Sequence, residues 1–308
     1  MTRKSFLAST ALATVMAMSS VSWAQGTADP ETAFDLEGRT QVEDSVTNET
    51  DTQLSDKRTA LIEEAISALD ETHHAITAIE EGDTEAALAA LAAATGKLET
   101  VVAREPGLAL APVDVNFITY DVLGSLQSIK DTGNRIEDLV DDGEFQKARR
   151  LLSNFASEVV IQTTSLPLAT YPDAILEATA LLDDGKTEEA LTVLNTALGT
   201  QVIEETAVPL PPLRAEAMIE AAEEILKGEA EKDGDKAHAD LSPGDYVRAA
   251  RQELEIAEAL GYGRERDFED IHDDLDALEE QIKAQKDTGG ILDAISGRFD
   301  QLRERIFN

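Results

Sequence analysis

The chain predicts an all-α fold, a bundle of antiparallel helical hairpins followed by a C-terminal three-helix unit. Three observations lead there. Alanine and leucine are abundant while aromatic residues make up 4% of 308 residues, a composition that favours helix over sheet. Apolar residues recur at steps of three and four along most of the sequence, the period of a half-buried helix. One punctuation also occurs three times, around Gly82, Gly143 and Gly185. Relative to each glycine an apolar residue stands at minus three (Ile79, Val140, Leu182), an alanine at plus five (Ala87, Ala148, Ala190) and a leucine at plus nine (Leu91, Leu152, Leu194). Glycine closes a helix in the left-handed conformation without steric cost, so each copy predicts a tight αα-hairpin. Leu181 to Leu194, LLDDGKTEEALTVL, states the pattern most fully. Asp183 and Asp184 face solvent, Thr187 caps the next helix, and Glu188 and Glu189 sit where the helix dipole favours negative charge.

Taken in order, residues 1–24 predict a cleaved signal peptide. Arg3 and Lys4 open it, Phe6 to Val21 forms an apolar stretch of secretory length, and Ser22-Trp23-Ala24 ends on a small residue before Gln25. Export to a bacterial periplasm is the expectation, with no later apolar span of about twenty residues to hold the product in a membrane. Residues 25–56 predict a disordered acidic lead. Eight carboxylates up to Ser55 face one base, Arg39, and the apolar residues are too sparse to offset ordering entropy.

Residues 57–227 predict the main helical domain. Its first stripe is Ile62, Ile66, Leu69, His73, Ile76 and Ile79, continued after Gly82 by Ala87, Leu88, Leu91, Ala94, Leu98 and Val101. Pro106, Gly107 and Pro112 then break the chain, and a helix is expected from about Phe117 to Val140. After Gly143 a further helix is expected to carry Leu151, Leu152, Phe155, Val159 and Val160. Two proline-rich stretches, Leu166 to Pro172 and Val208 to Glu216, predict irregular loops lying against the helices. Residues 228–244 predict a hydrophilic linker. Residues 245–308 predict three antiparallel helices, with stripes at Val247, Ala250, Leu254 and Ala257, then Phe268, Ile271, Leu275, Leu278 and Ile282, then Ile291, Ile295, Phe299, Leu302 and Ile306.

The formal charge of −36 and pI near 4.2 argue against nucleic acid as a partner, because phosphates would be repelled. The absence of cysteine excludes disulfides, thiolate nucleophiles and cysteine-ligated zinc. His73 and His74 point about 100 degrees apart on one helix and do not grip one ion together, so His73 is expected packed on the buried stripe. Glu229, Glu231, Asp233, Gly234 and Asp240 echo a calcium loop, but Asp is missing at the first position, a bidentate Glu at the last, and Lys236 stands where an apolar residue is needed. Carboxylate pairs at Glu63-Glu64, Asp141-Asp142, Asp183-Asp184 and Asp273-Asp274 are expected on solvated faces. No catalytic residue, cofactor or metal site is predicted, and the chain is not expected to be an enzyme. Tyr171 and Arg214 are the candidate groove or interaction residues, each set in a proline stretch, with packing and a helix-terminal ion pair as their simpler roles.

The hairpin at Gly82, the segment LPLATYPDAI, the hairpin LLDDGKTEEALTVLNTAL and the segment VPLPPLRAEAMIEAA, in that order, resemble the YfdX family of small exported helical proteins of bacteria, over roughly Lys57 to Lys227. The resemblance implies an all-α fold, export to the periplasm and an association with stress responses, and it brings no catalytic motif onto numbered positions here. The acidic lead and the long C-terminal extension depart from the shorter members. Free carboxylates titrate near pH 4, so acid would remove the mutual repulsion of a chain this negative. The expected function is self-association or binding of a protein partner governed by acidity, with a small-ligand or calcium binder as the alternative.

Overall fold

A computed structural model describes residues 30–228 and 241–306 of the chain. The signal peptide expected at 1–24 and the linker positions 229–240 lie outside the described residues. The elements run α1 (Pro30–Thr59), α2 (Glu63–Glu81), α3 (Thr84–Arg104), β1 (Leu110–Tyr120), α4 (Leu126–Asp141), α5 (Phe145–Leu152), β2 (Glu158–Pro167), α6 (Tyr171–Asp183), α7 (Thr187–Leu198), β3 (Val202–Pro209), α8 (Leu210–Lys227), α9 (Pro243–Leu260), α10 (Glu265–Lys283) and α11 (Gly289–Ile306). From α2 to β3 one unit therefore repeats three times: a helical hairpin followed by a strand. Gly82, Gly143 and Gly185 turn the hairpins at φ of 79°, 75° and 76°, the left-handed conformation that the three aligned glycines predict. Lys186, not Thr187, occupies the N-cap of α7, and it makes no side-chain cap.

The three strands correct the all-α expectation. They form one antiparallel sheet in the order β1-β2-β3, with Phe117 opposite Ile161 and Ile161 opposite Thr206. The helix expected from Phe117 begins only at Leu126, after β1, and the helix after Gly143 ends at Leu152, so Val159 and Val160 belong to β2. Phe155, Val159 and Val160 imitate a helical step of four. The local chemistry is that of a strand: Glu158 to Pro167 is rich in Val, Ile and Thr, whose branched side chains fit a pleated surface. The proline stretches are likewise regular, each spanning a strand end and a helix start. Pro167 ends β2, Pro209 ends β3, and Pro211 and Pro212 sit in the first turn of α8, where a missing N–H costs nothing. Leu166, Leu168, Leu210 and Leu213 are buried, as expected of segments that lie against helices.

The sheet runs from one core into another. Ala111 and Val113 of β1 and Leu166 of β2 pack with α2, α3, α6 and α7, whereas Val115, Val159 and Ile161 pack with α1, α8, α9, α10 and α11. In the first core α3 lies on α6 and α2 on α7, so the first and third hairpins form a four-helix group. Small residues let α2 and α3 approach closely: Ala65, Ala68, Ala75, Ala87 and Ala94 are fully buried. This rotates the buried face of α2 onto Ala65, Ala68, Thr72, Ala75 and Ile79, leaving Ile62, Ile66, Leu69 and Ile76 half-buried and His73 exposed. The packed histidine predicted from the larger apolar residues is thus corrected. By length and composition α3 is apolar enough to cross a membrane, yet Leu91, Leu98 and Val101 are buried in this core.

The second core holds two further findings. The stretch expected as a disordered lead is helical from Pro30, and Val42, Val46 and Leu54 of α1 are buried against α8 and α9. Its partners come close enough that a Cβ added at Gly38 would meet Ala249 Cβ at 3.2 Å and Met218 Cε at 3.3 Å. The C-terminal helices share this core with α1 and α8. Val247, Ala250, Leu254, Ala257, Phe268, Ile271, Leu275, Leu278, Ile295, Phe299 and Leu302 are buried as their spacing predicts, while Ile282, Ile291 and Ile306 sit at its margin.

Candidate functional site

Where β1 ends, β2 begins and α8 starts, the chain gathers its buried charges. Arg214, in the first turns of α8, is 5% exposed. Its Nη1 donates to Asp121 Oδ1 at 3.1 Å and its Nη2 to Asp121 Oδ2 at 2.7 Å, a two-pronged pair with the residue that follows β1. Ser157, the residue before β2, donates its hydroxyl to Asp121 Oδ1 at 2.7 Å and accepts the Val122 N–H at 3.0 Å. The Ser157 N–H donates to the Tyr262 hydroxyl at 2.8 Å, and its carbonyl accepts the Leu210 N–H at 2.9 Å. Beside this set Arg39 of α1 donates to Glu253 of α9, both buried.

Burial alone would raise the Asp121 carboxyl, but Arg214, Ser157 and Arg39 outweigh it and hold it below the usual carboxylate range. Burial alone would lower Arg214, and Asp121, Glu253 and Glu43 together push it above its ordinary value. Burial, with the Glu158 carboxylate next, raises the Tyr262 phenol. Every one of these shifts preserves the charge state that makes the pairs. The junction is a clasp joining α1, both strand ends, α8 and α9, with its charges spent on one another.

A cleft of about 380 Å³ opens next to it, lined among others by Ser45, Asn48 and Glu49 of α1, Glu216 and Glu220 of α8, and Arg303 of α11. Arg303 binds both oxygens of Glu216. Burial raises the Glu216 carboxyl, and Glu220 and Asp300 add to the shift against Arg303. Burial also raises Glu220, with Glu224, Glu223 and Glu49 adding to it and Arg303 again opposing. The cleft therefore holds three carboxylates to one guanidinium, two of them taking up protons more readily than surface acids do.

Tyr171 and Arg214 do not come together. Tyr171 is fully buried at the start of α6 in the first core, with Thr72 as its polar neighbour and burial raising its phenol. Arg214 belongs to the clasp, the ion-pairing role open to it from sequence. His73 and His74 are both exposed, and His74 Nδ1 lies 3.7 Å from Glu71. Glu64 pairs with Arg104, and Asp274 lies 3.5 Å from Arg298. The calcium-loop echo at 229–240 lies outside the described residues, and among the described residues no group of three His, Cys, Asp or Glu could hold a metal ion. Sequence reasoning missed Asp121, Ser157, Glu216 and Glu220. Glu216 ends the second proline stretch and Glu220 follows it by four residues, whereas nothing in the sequence marks Asp121 or Ser157.

The fold and its clasp define an α+β protein of three hairpin-and-strand units closed by C-terminal helices. Residues 68–207, the span of those units, match the family described as YfdX protein, so the family likeness holds over that stretch. Among solved structures the chain is similar to a crystal structure of YfdX from Salmonella Typhi, at 15% identity and a TM-score of 0.34, covering 49% of this chain and 93% of that one. None of the curated proteins compared with the chain matches it.

Proposed function

We propose that the chain is a non-enzymatic exported protein of the periplasm, a stress-related assembly or interaction protein whose association is governed by acidity. What carries this reading is the cleft between α1, α8 and α11, where Glu49, Glu216 and Glu220 face one Arg303 in a chain of net charge −36. At neutral pH that charge keeps copies apart. As pH falls, Glu216 and Glu220 take up protons before ordinary carboxylates, and the general repulsion drains away. Light scattering on the full chain at about pH 7 and about pH 4 tests the reading. A mass that rises in acid supports it, and unchanged mass with unchanged partner binding removes it. Export is tested separately by the first residue of protein recovered from a periplasmic extract, expected to be Gln25.

A second reading takes the same cleft as a site for a small cationic ligand, because Glu49, Glu216 and Glu220 line it beside a single Arg303. Calorimetry and a thermal-shift series with small amines separate the two, since a specific site stabilises the fold in proportion to ligand occupancy.

A further inference from the structure

The three hairpins are built alike but end differently. In the first and third, the residues three before and nine after the turn glycine are buried: Ile79 is 4% and Leu91 0% exposed, Leu182 2% and Leu194 0%. They are covered because these two hairpins pack on each other, α3 on α6 and α2 on α7. The second hairpin carries Val140 and Leu152 at the same two places and leaves them 41% and 51% exposed, with Phe145 beside them at 62%. Of the eleven large apolar side chains exposed among the described residues, seven lie between Phe117 and Leu152. The base of this hairpin is covered, α4 resting on α9 with Ile129 and Ile136 buried. Its tip is not.

Its charges are divided in a way that suits a like partner. Helix α5 carries Lys147, Arg149 and Arg150 and no carboxylate, while the end of α4 and the turn carry Glu137, Asp138, Asp141, Asp142 and Glu144, the last paired with Lys147. Arg149 and Arg150 make no ion pair among the described residues. Phe145, Arg149 and Leu152 stand at i, i+4 and i+7, on one side of α5.

We propose that the α4–α5 hairpin is a docking surface for the same hairpin of a second copy of this chain, α5 of each copy lying on α4 of the other. The protein itself supplies the template, since its first and third hairpins meet with second helix on first helix in both directions. Such a contact is two-fold and self-complementary and closes at two copies. It buries Val140, Phe145 and Leu152 of both chains and sets the arginines of each α5 against the carboxylates of the facing α4. The proposal rests on the assembly reading above and adds the surface and its occupant.

Sedimentation equilibrium of the full chain and of a Phe145→Glu, Leu152→Glu variant, at about pH 7 and about pH 4.5, tests it. The unaltered chain is expected to form a reversible dimer in acid, and the variant to associate about a hundredfold more weakly with an unchanged circular dichroism spectrum. A variant that dimerises equally well overturns the surface and leaves the assembly reading standing. An unaltered chain that stays monomeric at both values overturns both. A second pair guards against misfolding: Arg149→Glu, Arg150→Glu in one preparation and Asp138→Lys, Asp141→Lys in another. Each is expected to associate poorly alone and to recover when mixed, and mixing without recovery overturns the placement of α5 on α4.

Discussion

Leu91 and Leu152 stand at the same position of the same repeat, nine residues after the turn glycine, yet Leu91 is fully buried and Leu152 is 51% exposed. Sequence and local structure are alike, so the difference comes from what packs on each hairpin. Truncation should separate them. Leu91→Ala is expected to cost about 2–5 kcal/mol, the transfer term plus a cavity, whereas Leu152→Ala should change the stability of dilute monomer by less than about 0.5 kcal/mol. Urea unfolding followed by circular dichroism reads both. Equal costs would mean that the tip of the second hairpin is covered within one chain.

The clasp is expected to behave as a buried ion pair. Arg214→Met leaves Asp121 without its counter-charge and should destabilise the fold by about 3–5 kcal/mol. Combining it with Asp121→Leu should recover much of that loss, because the cost lies in the uncompensated charge more than in the missing pair. Arg214→Lys keeps the charge but loses the fork that meets both Asp121 oxygens, so it should fall between. Additive losses in the double variant would show that the two residues do not act as a unit.

Acid should act on the two sites in opposite senses. The Glu216 and Glu220 carboxyls are raised in the folded state, so folding binds protons there, and their contribution to stability grows as pH falls through their folded values toward the ordinary carboxylate range. Asp121 is lowered, so its contribution is full above the ordinary carboxylate range and is lost as pH falls below that range. Stability is therefore expected to rise on mild acidification and to drop at stronger acid. Glu216→Gln with Glu220→Gln should flatten the rise and leave the drop. A rise that survives both substitutions would place the proton uptake elsewhere.

How much of this was legible follows from which forces are local. The hairpin turns were readable because a glycine at positive φ is a local demand, met identically at Gly82, Gly143 and Gly185. The C-terminal seam was readable because Phe268, Ile271, Leu275 and Leu278 keep helical spacing with large side chains. The strands were not. A strand of eight to eleven residues set between helices offers few alternations, and Val159 and Val160 fall at a helical distance from Phe155. Helix α1 was hidden by its narrow stripe, Gly38, Val42, Val46 and Leu54, within a strongly acidic sequence, and it folds because α8 and α9 are there to receive it. Of the candidate residues, Arg214 could be named from its place in a proline stretch. Asp121 and Ser157 could not, because only the pairing of β1 with β2 brings residues 36 positions apart into contact.

The turn glycines allow a cleaner test of backbone cost. A Cβ at Gly185 would meet nothing within 4 Å, and φ there is 76°. Gly185→Ala should cost about 1–2 kcal/mol through the left-handed conformation alone. Gly185→Asn should cost less, since asparagine tolerates that conformation. Equal losses for the two would point to a steric cause instead. Thermal unfolding of the two variants decides it.

As proposed above, acid lets two copies of this strongly negative chain meet through the α4–α5 surface that each carries. The stoichiometry of the unaltered chain by sedimentation equilibrium, followed from about pH 7 to about pH 4.5, tests it most directly. A reversible association that tightens at least about tenfold in acid and stops at two copies is the predicted result. A monomer throughout, or open-ended growth with no closed dimer, would contradict it.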